Sequence, residues 1–236
     1  MNYNFSVGNG IYTPLVNKTV FQSGTQISTD AISNEITLPF DFTLYGGIPQ
    51  SKVFLSNNGY IAFGSAPSKA TIFSPISSSE IPADYVFSGL GNQIIASSVG
   101  SPEIAYGQNA NGDMVFEFTD IAFVTAPFIR FTFQMILKAN GTTLQIMFGA
   151  NCTGQAINST RGSQIGLRGK QTPRVGATPY TTLFNNLSLG NGNWNLYSPY
   201  GLRLGTNSAS SVTTRLATGL NMVMPNSGLT YQWVAN

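Results

Sequence analysis

Residues 131–149 show the clearest alternation of apolar and polar positions in the chain. Large apolar side chains occupy every second position on both sides of the segment Ala139-Asn140-Gly141. These positions are Phe131, Phe133, Met135, Leu137, Leu144, Ile146 and Phe148. A period of two places alternate side chains on one face of a strand, and Asn-Gly supplies the positive φ angles of a tight turn. The pattern predicts a β-hairpin with one apolar face and an outward face of Thr, Gln and Lys.

Similar short apolar segments recur along the chain, separated by Gly, Pro and Asn. Besides the hairpin, the predicted strands are 36–45, 52–56, 59–63, 93–96, 103–106, 113–123, 164–167, 201–204, 211–217, 221–224 and 230–234. Strands at this spacing predict an all-β fold, an antiparallel β-sandwich of jelly-roll type. The length of 236 residues is typical of one such domain, so we expect a single domain over residues 1–236.

Two connections, at about residues 65–92 and 168–200, lack strong periodicity and are predicted to be long loops. Long loops in a compact domain are commonly functional or docked against another surface. A ligand site would therefore be expected in these two segments first.

The surface must be polar without being charged, because only 8% of the residues are charged while 42% are apolar. This composition is typical of a folded chain, and hydroxyl- and amide-rich surfaces are common among proteins outside the cytoplasm. Histidine is absent, and the single cysteine, Cys152, excludes an intrachain disulfide. The chain thus lacks the usual general base at neutral pH and the commonest metal ligand. We expect no enzyme, no metal and no cofactor.

The amino terminus carries neither a basic segment nor an apolar run of signal-peptide length. No run reaches the ~18 apolar residues of a membrane span, so we expect no membrane insertion. Two explanations of an extracellular location stay open. The chain is a trimmed mature fragment, or it leaves the cell without a signal, for example when lysis releases assembled virus particles.

Four segments of the chain, the hairpin among them, follow one another in a fixed order. The first lies within 38–64 and contains LPFDFTLYG and VFLSNNGYIAFG, and the second is NGDMVFEF at 111–118. The third consists of the hairpin strands within 133–149. The fourth lies within 165–194 and contains IGLRG, FNNL and a Trp. Together they resemble a β-sandwich domain of secreted Bacteroidetes surface proteins, which are typically exported by the type IX system and include gliding-associated and adhesin-like proteins. The resemblance covers residues 3 to about 234.

This resemblance implies a sandwich domain that is embedded in larger adhesins, gliding-associated proteins or secreted hydrolases and is not their catalytic part. It carries over no catalytic residue. The chain departs from the pattern at residues 94–100 (IIASSVG), which lack the aspartates of the corresponding family segment. Any metal or ligand role of those acids is therefore not expected here.

Glu117 and Asp120 are the candidate catalytic pair among the acidic residues, because they lie on or beside one predicted strand. Glycoside hydrolysis requires two facing carboxylates, and an odd separation places these two on opposite faces of a regular strand. The interpretation we favour is that both are solvent-facing strand charges. The closely spaced acidic ligands of a calcium loop are not found in the sequence.

Aromatic and amide residues gather late in the chain. Sugar rings stack on flat aromatic faces while amides bind the hydroxyl groups, so a shallow carbohydrate site needs little else. The candidate ligand-binding residues are Tyr180, Asn193, Trp194, Asn195, Tyr197 and Tyr200. The alternative is that Trp194 and Phe184 cover the sandwich core from a loop, which leaves Tyr197 and Tyr200 as the better candidates for exposure.

Four of the eleven basic residues, Arg161, Arg168, Lys170 and Arg174, lie in one short stretch. A nucleic-acid-binding domain would show a larger positive balance than the net charge of +2 and a recognised motif. We therefore favour a solvated face or an interface patch and expect no nucleic-acid partner.

These observations favour a non-enzymatic structural or attachment module of an extracellular assembly. The first candidate is a virion surface component, such as a fibre, spike or decoration protein of a phage. Its partners would be further copies in a homo-oligomer or other subunits. The alternative is a secreted adhesin domain on a bacterial cell surface, which binds a cell-surface glycan through the aromatic loop residues.

Overall fold

A computed structural model describes residues 3–44, 47–76, 85–149, 151–152, 156–159, 163–168, 172–173, 180–181, 184–190, 193–195, 220–223 and 227–235. Two large antiparallel sheets pack together in these residues, so the predicted all-β sandwich is confirmed. The helical element described is one short 3-10 helix, Gly24–Ser28. Within the ranges given, no helix has the length and apolar character of a membrane span.

The first sheet has eight strands, seven of them in the order β1-β19-β11-β10-β9-β8-β2, with β7 paired to β9 beside β8. Its strands are β1 (Tyr3–Asn9), β2 (Thr19–Ser23), β7 (Ile94–Ala96), β8 (Glu103–Gln108), β9 (Met114–Phe123), β10 (Ala126–Leu137), β11 (Leu144–Phe148) and β19 (Leu229–Ala235). Strands β1 and β2 therefore lie at opposite edges of this sheet.

The second sheet has seven strands in the order β17-β16-β13-β6-β5-β4-β3. Its strands are β3 (Ile36–Phe42), β4 (Gln50–Ser56), β5 (Tyr60–Phe63), β6 (Tyr85–Gly91), β13 (Gln164–Arg168), β16 (Phe184–Gly190) and β17 (Asn193–Asn195). Two small strand pairs complete the description: β12 (Ala156–Ser159) with β18 (Leu220–Val223), and β14 (Thr172–Pro173) with β15 (Tyr180–Thr181).

The core lies between the two large sheets and is rich in aromatic rings. All seven apolar positions of the predicted hairpin are buried in it, which confirms the predicted apolar face. Phe118 stacks on Phe133 with ring centroids 4.6 Å apart and 7° between the planes. Phe87 of the second sheet meets Trp233 of the first edge-on at 5.9 Å, so aromatic contacts join the two sheets.

The hairpin turn between β10 and β11 differs in detail from the expected Asn-Gly turn. Gly141 supplies the positive φ, 75°. Asn140 acts through its side chain, because its Oδ1 accepts hydrogen bonds from the backbone N–H groups of Thr142 and Thr143 at 3.1 and 3.0 Å. The amide of Asn140 thus satisfies backbone donors that the turn leaves unpaired.

The two predicted loops contain strands. The segment 65–92 ends in β6, an inner strand of the second sheet that is buried along its whole length. A strand buried on both faces lacks a period of two, which explains why the pattern missed it. The segment 168–200 contains β14 to β17, while the predicted strands 201–204 and 211–217 lie outside the described residues.

Truncation of Phe133 to Ala tests the aromatic core. Because the ring is buried and stacks on Phe118, we expect Phe133→Ala to lower the free energy of unfolding by about 3–5 kcal/mol. Val20→Ala, at a half-exposed position of β2, is the control and should change it by less than about 1 kcal/mol. Urea unfolding measures both, and equal small losses would contradict the packing described.

Candidate functional site

The segment that joins β1 to β2, residues 10–18, crosses the outer face of the first sheet, and we call it the strap. Seven strands from β1 to β2 define six spacings, which amount to about 29 Å. Ten residue steps from Asn9 to Thr19 span at most about 33–36 Å. The strap must therefore run almost fully extended over the sheet.

Apolar contacts hold the strap against the outer face. Leu15 packs with Val115, Ile136 and Met147, which are buried, and Tyr12 packs against this cluster. These outer-face residues alternate with the core positions of β9, β10 and β11. The strap thus gives the first sheet a second, smaller core on the side away from the sandwich.

Two glycines mark where the strap touches the sheet most closely. A Cβ on Gly149 would lie 2.8 Å from the ring of Tyr12, and a Cβ on Gly107 would lie 2.3 Å from the carbonyl oxygen of Asn17. Both distances are shorter than Cβ contacts in proteins allow, so the close approach requires glycine at each point.

Glu117 is the polar anchor of the strap. Its Oε1 accepts hydrogen bonds from the Tyr12 hydroxyl at 2.5 Å and from the Leu15 backbone N–H at 3.1 Å. Gln134 Nε2 donates to the same oxygen at 2.7 Å and also to the Thr13 carbonyl at 2.8 Å. One carboxylate and one amide side chain therefore connect β9 and β10 to Tyr12, Thr13 and Leu15 of the strap.

The electrostatic surroundings of Glu117 suit a buried anion. The residue is only 1% exposed, and burial of a carboxylate is costly unless donors replace water. Lys18 forms an ion pair with Glu103, and its Nζ lies 3.9 Å from Glu117 Oε2. Burial, followed by the charge of Glu117, raises the pKa of Tyr12, so this hydroxyl stays a donor.

The prediction that Glu117 and Asp120 face solvent is wrong, because both are buried. Strand β9 is not regular here: its register with β10 shifts on both sides of Phe131, and Asp120 has a φ of 49°. Regular alternation therefore cannot be used to place these two carboxylates on opposite faces.

Asp120 belongs to a separate network at the end of the β9–β10 hairpin. Its Oδ2 accepts a hydrogen bond from Ser101 N–H at 2.9 Å, and its Oδ1 accepts one from Asn151 Nδ2 at 3.1 Å. Arg130 Nε lies 3.5 Å from Asp120 Oδ1, while its Nη2 donates to Asn151 Oδ1 at 2.9 Å. Asn151 also has a positive φ, 74°. The network fixes two unusual backbone conformations side by side.

Three exposed apolar residues, Val99, Val124 and Phe128, lie at this end of the hairpin, and we call them the tip patch. Their exposed fractions are 51%, 46% and 72%. The loop that carries Val99 is held to β10 by a hydrogen bond from Ser98 N–H to the Pro127 carbonyl at 3.1 Å. The register shift before Phe131 takes residues 127–130 out of the regular ladder and leaves Phe128 in solvent.

A groove of about 530 Å³ runs beside the strap, between it and strands β8 to β11. Its floor includes Val115, Ile136 and Met147, and Lys138 and Gln145 contribute to its rim. An apolar floor with a polar rim suits binding rather than bond-breaking chemistry.

Asp113 and Cys152 serve the scaffold. Burial alone would raise the pKa of Asp113, but hydrogen bonds from Ala139 N–H, Asn109 and Lys138 outweigh it and hold the pKa below its usual range. Burial raises the pKa of Cys152 to about 11, so the thiol is protonated at neutral pH and donates to the Thr132 carbonyl. Over the part of the chain described, no group of three or more His, Cys, Asp or Glu side chains could hold a metal ion.

The structure places only part of the predicted carbohydrate site. Asn193–Asn195 form β17 at the edge of the second sheet, where Trp194 pairs with Leu189, and Tyr180 begins β15. Tyr197 and Tyr200 lie outside the described residues. The grouping of these six side chains stays a prediction.

Arg168 departs from the predicted basic loop, whose other members lie outside the described residues. It ends strand β13, is 1% exposed, and its Nη1 donates to the Pro75 carbonyl at 3.2 Å. Burial lowers its pKa to about 10, so the guanidinium stays charged at neutral pH. Arg168 is a structural residue and not part of a solvated face.

Sequence reasoning missed Tyr12, Glu117 and Gln134 as one network. A signal was present in the alternation, which put Glu117 and Gln134 on the outward faces of neighbouring strands. The alternation gives no indication that the strap covers this face, because Tyr12 lies 105 residues from Glu117 in the chain.

Comparison with known proteins gives one match. The family model described as NIDO related matches residues 2–235, which is nearly the whole chain. No curated protein and no solved structure matches. The resemblance to secreted Bacteroidetes surface domains is not tested by this match and stays a prediction.

Replacement of Glu117 by Gln tests the anchor of the strap. The amide would keep one acceptor oxygen but would place an N–H₂ group among donors, so we expect the free energy of unfolding to fall by about 1–3 kcal/mol. We also expect proteolytic cleavage within residues 10–18 to become faster.

Glu35→Gln is the matched control, because Glu35 pairs with Lys52 on the surface, where both side chains are about half exposed. Such a pair contributes about 0–1 kcal/mol. Urea unfolding and limited proteolysis of both variants provide the comparison. Equal stability of the two variants, with an uncut strap in both, would show that Glu117 does not anchor the strap.

Proposed function

The chain belongs to the NIDO-related family, and we propose that it is a non-enzymatic structural and attachment module of an extracellular assembly. The assembly that we propose is a virion, in which the chain is a surface component such as a fibre, spike or decoration protein of a phage. Such a module acts through contacts with neighbouring subunits.

The tip patch is the observation that carries this proposal. Phe128 is 72% exposed, and the end of the hairpin that carries it also carries the exposed Val99 and Val124. Grouped exposed apolar side chains commonly mark an interaction site, whereas single ones are ordinary. Burial of a Phe side chain against a partner would contribute about 1.5–3 kcal/mol.

The network below the tip patch supports the same proposal. Arg130, Asp120 and Asn151 are joined by hydrogen bonds and an ion pair. The backbone that carries Phe128 is therefore held before any partner arrives. A prearranged contact surface loses less conformational entropy on binding.

The use of the buried carboxylates favours a module without catalysis. Asp113, Glu117 and Asp120 each accept hydrogen bonds from donors of the scaffold. A catalytic carboxylate must instead face a substrate in a cleft. A low content of charged residues fits a protein that works outside the cytoplasm.

The second candidate is a secreted adhesin domain that binds carbohydrate, and the position of β17 favours it. This strand lies at the edge of the second sheet in the described residues and carries Asn193, Trp194 and Asn195. An edge strand is accessible from one side, as a shallow glycan site requires.

Replacement of Phe128 by Ser tests the attachment surface. In the natural source, we expect the wild-type chain to sediment with virus particles in a density gradient and Phe128→Ser to be found mostly in the free fraction. The reason is the loss of the most exposed apolar side chain of the tip patch. Quantitative mass spectrometry of the gradient fractions measures the distribution.

Ile48→Ser is the matched control, because Ile48 is 75% exposed on a different part of the chain. It should sediment with the particles like the wild type. If Phe128→Ser and Ile48→Ser were incorporated into particles equally, the tip patch would not be an attachment surface. A wild-type chain that is absent from particles and fractionates with a cell envelope would contradict the virion proposal and favour the adhesin.

The carbohydrate candidate has its own test on a glycan array. If the chain is an adhesin, the wild type binds at least one glycan, and Trp194→Ala and the double change Tyr197→Ala with Tyr200→Ala abolish that binding, because stacking surface is lost. Phe128→Ser should bind as the wild type does. Glycan binding that survives both aromatic changes would place the site elsewhere, and an array without any bound glycan would count against this candidate.

A further inference from the structure

Among the residues that the structure describes, strand β1 is an edge of the first sheet without the features by which proteins protect such edges. An exposed edge offers unpaired N–H and C=O groups to another strand, and charges, prolines, bulges or short length normally prevent this. Strand β1 has seven residues, Tyr-Asn-Phe-Ser-Val-Gly-Asn, with no charge and no proline. It pairs with β19 in one unbroken register, from Tyr3 opposite Ala235 to Asn9 opposite Leu229.

The other three edges of the two large sheets, as far as the structure describes them, are protected. Strand β2 has a register irregularity between Val20 and Gln22. Strand β3 contains Pro39 and Asp41 and has an irregularity of its own. Strand β17 is only three residues long. Strand β1 is therefore the unprotected one of these four described edges.

The hydrogen bonding at the end of β1 shows which backbone groups face outward. Gly10 N–H donates to the Gly228 carbonyl at 2.8 Å, at the next position of the β1–β19 register. In an antiparallel pair, residues alternate between facing the partner strand and facing away from it. Ser6 and Gly8 therefore face β19, like Gly10, while the N–H and C=O groups of Phe5 and Val7 point away from the sheet.

The partner that fits this edge is a second copy of the same strand. Neither β1 nor its neighbour β19 carries a charge, so two identical edges can meet without like-charge repulsion. An antiparallel pair centred on Ser6 overlaps over the full strand and brings Phe5 opposite Val7 of the other copy. Each outward backbone N–H and C=O group then faces an outward group of the other copy, so the two strands can form a regular antiparallel ladder.

We propose that β1 is a self-association edge, at which β1 of a second copy adds in antiparallel orientation and joins the two first sheets into one. The contact is isologous, so it closes as a dimer. This inference rests on the proposed function, because it names one contact by which the module would assemble.

Val7→Pro is the variant that tests the edge. It removes an outward N–H without removing a bond to β19, and proline is tolerated in edge strands at such positions. Sedimentation velocity over a range of concentrations should show a dimer for the wild type and for the control Val7→Thr, which keeps the N–H. Val7→Pro should weaken dimerisation about tenfold or more.

Amide hydrogen exchange in the wild type gives a second readout that does not depend on a variant. The amides of Phe5 and Val7 should exchange slowly at high protein concentration and fast at low concentration. The amides of Ser6 and Gly8, bonded to β19, should exchange slowly at both, and in Val7→Pro their slow exchange confirms that β1 is still in place.

A wild type that is monomeric at all concentrations would overturn the proposal, and so would a dimer in which the Phe5 and Val7 amides exchange fast. Equal dimerisation of Val7→Pro and Val7→Thr would also overturn it. The proposed function fails separately. Particles that contain the chain without a β1 dimer refute only the edge contact, and a β1 dimer in a chain absent from any assembly refutes only the function.

Discussion

The first sheet has two faces to cover, and the buried carboxylate of Glu117 fixes the segment that covers the second one. The other sheet of the sandwich covers the inner face. On the outer face, Val115, Ile136 and Met147 would meet water if the strap were absent. Apolar contact alone gives an extended segment no defined register, whereas the hydrogen bonds from Tyr12 and Leu15 to one carboxylate do. The strap also carries the chain from one edge of the sheet to the other, so the positions of both β1 and β2 depend on it.

The inner face of this sheet packs in the core and the strap crosses its outer face, while the ends and edges of the sheet stay open to partners. The irregular register of β9 and β10 around Asp120 and Phe131 produces the tip patch at one end. The unbroken register of β1 with β19 produces the open edge on one side. Both features come from backbone pairing and not from a constellation of reactive side chains. This origin is the physical basis on which we propose a contact module.

The sequence predicted what alternation determines and missed what distant segments determine. The hairpin at 131–149 and its buried positions followed from a period of two, because one face of that hairpin meets the core. Strand β6 was not predicted, because it is buried on both faces and its sequence therefore has no period of two. Glu117 was interpreted as a surface charge because its hydrogen-bond partners Tyr12 and Leu15 lie more than a hundred residues away. No local pattern in the chain indicates that the outward face of the hairpin is covered. The tip patch likewise required the irregular pairing around Phe131, which residue types alone do not specify.

The most direct measurement of the central claim is a structure of the assembly isolated from the natural source, at a resolution that shows side chains. We expect Phe128 to be buried against a neighbouring subunit while the strap remains in place over the outer face of its own sheet. An assembly in which Phe128 and its neighbours face solvent, or in which partners contact the chain only through other surfaces, would contradict it.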